Sequence, residues 1–155
     1  MGKIAENRLN RRFSTPIPHQ KITTDTTEFK YYENGIQKKA YLNPSQALEV
    51  TSDCPYRRTF HFDQGWAYQM PQYIHTLKEH QVFQSMSRKG NCHDNSVMEN
   101  FFALLKQENY YGRVFNSYQE LREEIIDWIT YYNTKRIKKK LNWMSPAQFR
   151  LIYQN

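Results

Sequence analysis

The chain has 155 residues, enough for one ordinary domain with a core of its own. Its 22 Lys and Arg outnumber 15 Asp and Glu, and the net charge of +7 points to a polyanionic partner, most simply nucleic acid. Two cysteines make no disulfide framework, no apolar run is long enough to span a bilayer, and the polar N-terminus does not read as a secretory signal, so a reduced cytoplasmic protein is expected.

In chain order, residues 1–20 are basic and polar with Pro16 and Pro18, and read as an arm or linker. The Thr- and aromatic-rich segment from Ile22 to Tyr32 predicts a strand, Asn34-Gly35 a tight hairpin, and Ile36 to Leu42 the returning strand. Ser45 to Val50 is a short helical fragment at most, and Thr51 to Arg58 a loop. Thr59-Phe60-His61-Phe62-Asp63 is a short apolar strand broken at Gln64-Gly65. Pro71 opens a helix to about His80, with Ile74 and Leu77 on one face, and Val82 to Met86 reads as a strand. A polar loop, Ser87 to Asp94, leads to a helix that carries Glu99 and runs to about Tyr110, its core face Met98, Phe101, Phe102 and Leu105. Ser117 with Glu120 makes a capping box for a helix to about Asn133, with Leu121, Ile125, Trp128, Ile129 and Tyr132 as its stripe. Ser145-Pro146 starts a last short helix. The order of elements describes a mixed α/β domain with helices packed on a small sheet.

Three carboxylates stand out on these elements. Asp25 lies in the first strand, Asp63 ends the apolar strand, and Glu99 sits in the first turn of a helix, with thirty-five residues between it and Asp63. Acids converging from two strands and a helix can hold two divalent cations that serve an in-line phosphoryl displacement. Each also has a bland reading: Asp25 as an exposed edge-strand acid, Asp63 as a turn former before Gly65, Glu99 as the partner of Ser96 in a capping box. Helical spacing puts Ala103 and Lys106 on the side of Glu99, where a lysine would meet a phosphate. Positive charge is clustered near these acids at Arg57-Arg58 and Arg88-Lys89, and again at Lys135, Arg136 and Lys138 to Lys140. His75, His80, Cys92 and His93 lack the spacing of a structural zinc site.

Several blocks of sequence carry a resemblance. They are Asn7 to Arg11, Thr24-Asp25-Thr26-Thr27-Glu28-Phe29, His61-Phe62-Asp63-Gln64-Gly65-Trp66 with Tyr68 to Tyr73, and Ser85 to Asn95 with Glu99-Asn100-Phe101-Phe102. The tail Tyr131-Tyr132-Asn133, Arg136 and Ser145-Pro146-Ala147 also fits. Over most of residues 7–152 the chain resembles the second-frame (OrfB) product of bacterial insertion-sequence transposases, in the retroviral-integrase-like superfamily. The resemblance implies a ribonuclease H-like fold, with Asp25, Asp63 and Glu99 as the metal-binding acids, Mg²⁺ or Mn²⁺ as the cofactor, two ions in the active form, and DNA as the partner. Lys106 matches a position that contacts DNA in the wider superfamily; Arg88, Lys89 and Arg136 complete the expected DNA contacts.

The chain departs from that pattern in two places. The N-terminal helix-turn-helix region of the family is not matched, and the sixteen residues Asn43 to Arg58 cannot hold both a third strand and a first helix. An internal deletion near residues 44–46 is the simplest account. It removes one pass up and one pass down the sheet, so Leu42 and Thr59 stay at the same end. The expected architecture is therefore a basic arm over 1–20, a core over 21–112 with a four-stranded sheet lacking the third strand and most of the first helix, and a helical part over 113–155. Loss of the covering helix is expected to leave Ile22, Phe29, Tyr41 and Leu42 exposed and to favour association of copies. The function implied is metal-dependent DNA cleavage and strand transfer at element ends and target. The rivals are an inactive remnant that only binds DNA and a nuclease of RNA–DNA hybrids.

Overall fold

The computed structural model describes residues 4–17, 19–42, 48, 51–52, 54–88 and 96–153. It divides into two compact units, Met1–Thr27 with Leu42–Phe101, and Glu28–Tyr41 with Phe102–Asn155.

The first unit is organised by its most apolar strand. Strand β1 is Lys21–Thr23, β4 is Thr59–Phe62 and β5 is Phe83–Met86; they form a parallel sheet in the order β1-β4-β5. The central position explains why β4 is a continuous apolar run: a parallel strand between two neighbours is covered on both faces, and Phe60, His61 and Phe62 are each 0% exposed. From β4 the chain passes through one 3₁₀ turn, Trp66–Gln69, and helix α1, Pro71–Glu79, to reach β5. Pro71 begins α1 where its missing N–H goes unneeded. Phe60, Phe62, Tyr68, Leu77, Val82 and Met86 form the core, with Ala5, Ile22, Leu48 and Tyr73 packed against it. Each large side chain buried here contributes roughly 1.5–3 kcal/mol.

Residues 5–9, read from composition as part of an arm, are packed against β5 instead. Ala5 N–H points at Met86 Sδ, Met86 N–H donates to Glu6 O, and Arg8 N–H donates to Ser85 Oγ. Leu9 is buried. Arg58 is buried too, its guanidinium donating to Leu48 O, Thr51 Oγ1 and His80 O, so it pins the loop that leads into β4.

The expected first strand is interrupted. Its first part is β1; its second is β2, Thr27–Glu33, which pairs with β3, Ile36–Leu42, in a separate two-stranded sheet. The four-stranded sheet expected from sequence is thus five strands in two sheets. The ladder ends at Thr24, whose N–H makes its last bond, to His61 O at 2.9 Å; two residues on, Thr26 N–H turns to Asp25 Oδ1 at 2.7 Å. The hairpin is as expected, with Asn34 at φ +53° and Gly35 at φ +74°. No strand stands between Leu42 and Thr59 among the described residues. The expected helical fragment at Ser45 to Val50 and the deletion point near 44–46 lie outside the described residues, apart from Leu48.

Helix α2, Ser96–Leu105, continues into one wider turn, Lys106–Tyr110, closed by Tyr111 N–H on Lys106 O. Helix α3 is Tyr118–Thr134 and α4 is Pro146–Tyr153. Both caps read from sequence are present. Glu120 N–H donates to Ser117 Oγ, and the Glu120 carboxylate reaches back to Asn116 N–H. Ser145 and Gln148 cap α4 reciprocally. In the second unit Phe29 meets the Tyr110 ring edge-on and is 1% exposed, against the expectation that it would be uncovered; Tyr41 is exposed as expected.

Candidate active site

The register of the parallel sheet places two of the three acids. Thr23 pairs with His61, and Asp25 and Asp63 each stand two residues beyond that pair. In a parallel sheet both chains leave at the same end, so the two carboxylates emerge side by side beyond the C-terminal ends of β1 and β4, where open sheets place their sites. Each is fixed by its own turn. Asp25 Oδ1 accepts Thr26 N–H at 2.7 Å, and Asp63 Oδ1 accepts Gly65 N–H at 2.8 Å. The turn reading of Asp63 is therefore correct, and it is compatible with ligation because the other carboxylate oxygen is not used by the turn. Glu99 lies in the exposed first turn of α2, where the helix dipole favours an acid.

Asp63 and Glu99 both act on Asp25. Burial pushes the Asp25 carboxyl above its ordinary value; the Thr26 N–H opposes this, and the negative charges of Asp63 and Glu99 add to the rise. Like charges gathered on a half-buried carboxyl are the donor set that a divalent cation neutralises. Among the described residues no three acid, histidine or cysteine side chains stand at ligating distance of one another. The donor set, three carboxylates, is of the oxygen kind that hard divalent cations take.

Tyr68 belongs to this site and no sequence signal beyond its place in a matched block marked it. Its ring is buried and stacked on Phe62 at 4.5 Å. Its hydroxyl is hydrogen-bonded to Thr26 Oγ1. Burial pushes the phenol up to about 12, helped by the charges of Asp25 and Asp63 and opposed by the Thr26 hydrogen bond, so it stays protonated. Around it the turn is tied down: Tyr68 N–H donates to Gly65 O, Gln84 Nε2 to Tyr68 O, Gln69 Nε2 to Gln64 O, and Gln64 Nε2 to Ser87 O.

The expected DNA contacts fare differently. Arg88 is exposed just past β5, and Lys89 lies outside the described residues. Lys106 holds its ammonium 5.3 Å from the centre of the Phe29 ring. Arg136 is engaged by Glu108, Nη2 to Oε1 at 2.6 Å, and Glu108 also accepts from Trp128 Nε1 at 3.1 Å. The Arg136 partner lowers the Glu108 carboxyl.

A parallel β–α–β unit with acids at the ends of neighbouring strands, followed by a helix bearing a third, is arranged as in integrase-type cores. The family model for the integrase core domain matches residues 99–152. A transposase-like protein of Haemophilus influenzae is 39% identical over 175 positions, covering 97% of this chain and 79% of the relative. The transposase InsK assigned to insertion sequence element IS150 of Escherichia coli is 39% identical over 176 positions, and this chain spans 61% of its length. The chain belongs to the insertion-sequence transposases of the retroviral-integrase-like superfamily, proteins of DNA transposition. Both alignments are longer than the 155-residue chain, so these relatives carry residues that have no counterpart here. Among solved structures, the catalytic domain of Mos1 mariner transposase matches with a TM-score of 0.56 at 14% identity, covering 77% of this chain and 73% of that one. The HTLV-2 integrase catalytic core in complex with magnesium matches with a TM-score of 0.50 at 9% identity, covering 86% and 97%. These likenesses bear on the fold, which is that of the ribonuclease H-like cores.

Proposed function

We propose that this chain cleaves DNA and transfers the cut strand at the ends of its element, with Asp25, Asp63 and Glu99 holding Mg²⁺ or Mn²⁺. The observation that carries this is the register Thr23↔His61, which brings Asp25 and Asp63 out of the sheet together. Glu99 supports it through its effect on the Asp25 carboxyl. When bound, a pair of such ions activates a water or a DNA 3′-hydroxyl and steadies the leaving oxygen. The chain's own part is to hold the acids by the Thr26 and Gly65 amides and to close the core behind them with Phe62 and Tyr68. Arg88, Lys89, Lys106 and the basic block at 135–140 neutralise phosphates without reading sequence; Arg136 does so only by leaving Glu108. Magnesium is the ion bound by the HTLV-2 core, which is in a trimeric form, and self-association is proposed here by analogy. No helix among the described residues is long and apolar enough to cross a membrane.

One observation favours the second reading, a remnant that binds DNA without cutting it. Among the described residues no three acid, histidine or cysteine side chains are grouped to hold a metal, and the relatives carry residues that this chain lacks. The deciding experiment incubates the purified chain with labelled element-end DNA and Mg²⁺ or Mn²⁺, beside Asp63→Asn. Metal-dependent nicking by the wild type alone is expected. Salt-sensitive binding with no nicking would establish the remnant.

A further inference from the structure

Asp25 and Asp63 come from segments that are distant in sequence, yet a short hydrogen-bonded path joins them. It runs from Asp25 Oδ1 to Thr26 N–H, from the Thr26 hydroxyl to the Tyr68 hydroxyl, from Tyr68 N–H to Gly65 O at 3.1 Å, and from Gly65 N–H to Asp63 Oδ1. The Tyr68 phenol is the only side-chain link in this path that spans the two turns. The ring beneath it is fixed independently, stacked on Phe62 and edge-on to Tyr73, and Gln84 holds its carbonyl. A hydroxyl on a ring locked this way has little freedom, so it sets where Thr26, and through the Thr26 amide the Asp25 carboxylate, can go.

This matters because β1 makes its last ladder bond at Thr24, N–H to His61 O, and the chain then turns, with Thr26 N–H on Asp25 Oδ1. Asp25 is the first residue past that bond, and its own carboxylate accepts in the turn that follows. Asp63, by contrast, follows directly on the central strand. A tether from the turn after β4, bonded at Gly65, Tyr68 and Gln84, fixes the turn after β1 from its open side.

We propose that Tyr68 is a positioning residue: its hydroxyl, through Thr26, holds Asp25 in place beside Asp63 for a divalent cation. The proposal rests on the metal-site reading above and adds a residue to it. The bland alternative is that Tyr68 is only a core side chain, and it assigns no role to the hydroxyl. The two separate on Tyr68→Phe, which keeps the ring and its stacks, and on Thr26→Val, which keeps the shape of an exposed side chain.

The measurement is Mn²⁺ affinity of the intact chain, by calorimetry or electron paramagnetic resonance, with thermal unfolding of each apo variant alongside. Partners that orient metal ligands change affinity about 10- to 100-fold when removed. Tyr68→Phe is expected to weaken Mn²⁺ binding about ten-fold, Thr26→Val by a similar factor, and the double variant no more than either, because both remove one link. Thr26→Ser keeps the hydroxyl and is expected to bind as the wild type does. Wild-type affinity in Tyr68→Phe and Thr26→Val, or losses that multiply in the double variant, overturn the proposal and leave the metal site standing. A wild type that binds no Mn²⁺ in a saturable way overturns the metal-site reading and this proposal with it. If Tyr68→Phe does not fold, Thr26→Val and Thr26→Ser decide the matter by themselves.

Discussion

Replacing Gly65 by alanine perturbs Asp63 without touching its chemistry. Gly65 has φ −55° and ψ 139°, a conformation any residue adopts, so the glycine is required by space. A Cβ built there meets Asp63 Oδ1 at 2.9 Å and Tyr68 Cδ2 at 3.3 Å. Ordinary contact begins near 3.4 Å, so the carboxylate must retreat by about 0.5 Å. The retreat weakens the bond from Gly65 N–H, a charge-assisted hydrogen bond whose full loss costs about 1.5–3 kcal/mol. Alanine offsets part of this, roughly 0.4–1 kcal/mol, by restricting the unfolded chain. The net destabilisation is about 1–2 kcal/mol, or about 2–8 °C in Tm for a chain of this size. A misplacement of about 1 Å at a reacting centre costs on the order of 100-fold, so half of it should lower strand cleavage about ten-fold. The assay is metal-dependent nicking of element-end DNA beside thermal unfolding of the same preparation. A Gly65→Ala protein that melts as calculated and nicks at the wild-type rate would refute the placement of Asp63 at the metals.

Three other outcomes follow from the same geometry. The Asp25 carboxyl is raised above 3.8, chiefly by burial, so its ionised form is disfavoured in the fold; stability is greater while it is protonated and is lost as pH rises through 3.8 toward the raised value. Asp25→Asn should therefore melt above the wild type at pH 7 without metal and not below pH 3.8, while saturating Mg²⁺, worth about 2.7 kcal/mol at a hundred times Kd, should reverse the order at pH 7. Arg136→Ala should cost about 1 kcal/mol in urea unfolding by removing the Glu108 ion pair, and should change DNA affinity less than Arg88→Ala does. Leu77→Ala, which empties a core position that is 1% exposed, should cost about 2–5 kcal/mol at equal m-value and leave Mn²⁺ affinity per folded molecule unchanged.

What the chain could show in advance was local. Asn34 and Gly35 supply the positive φ that a two-residue hairpin needs, Ser117 and Ser145 cap the helices they precede, and Pro71 opens the helix it begins, because each of these depends on neighbours within four residues. The three acids were legible for the same reason: their residue types and spacing are properties of the sequence. The break at Thr24 to Thr26 was not. A Thr-rich run reads as one strand, but its ladder with β4 ends at the Thr24 amide and the Thr26 amide turns onto Asp25 Oδ1. Arg136 reads as a phosphate contact until Glu108, twenty-eight residues away, takes its guanidinium.

The sequence by itself determined the hairpin, the helices with their caps and the basic charge, since these follow from residue identity and short-range backbone chemistry. Tertiary structure alone decided the register Thr23↔His61 that sets Asp25 next to Asp63 and the contact of Tyr68 with Thr26 that spans their turns. Both depend on which strands pair and in what register, and strand pairing is a long-range choice made by burial of Phe60 and Phe62 in a common core.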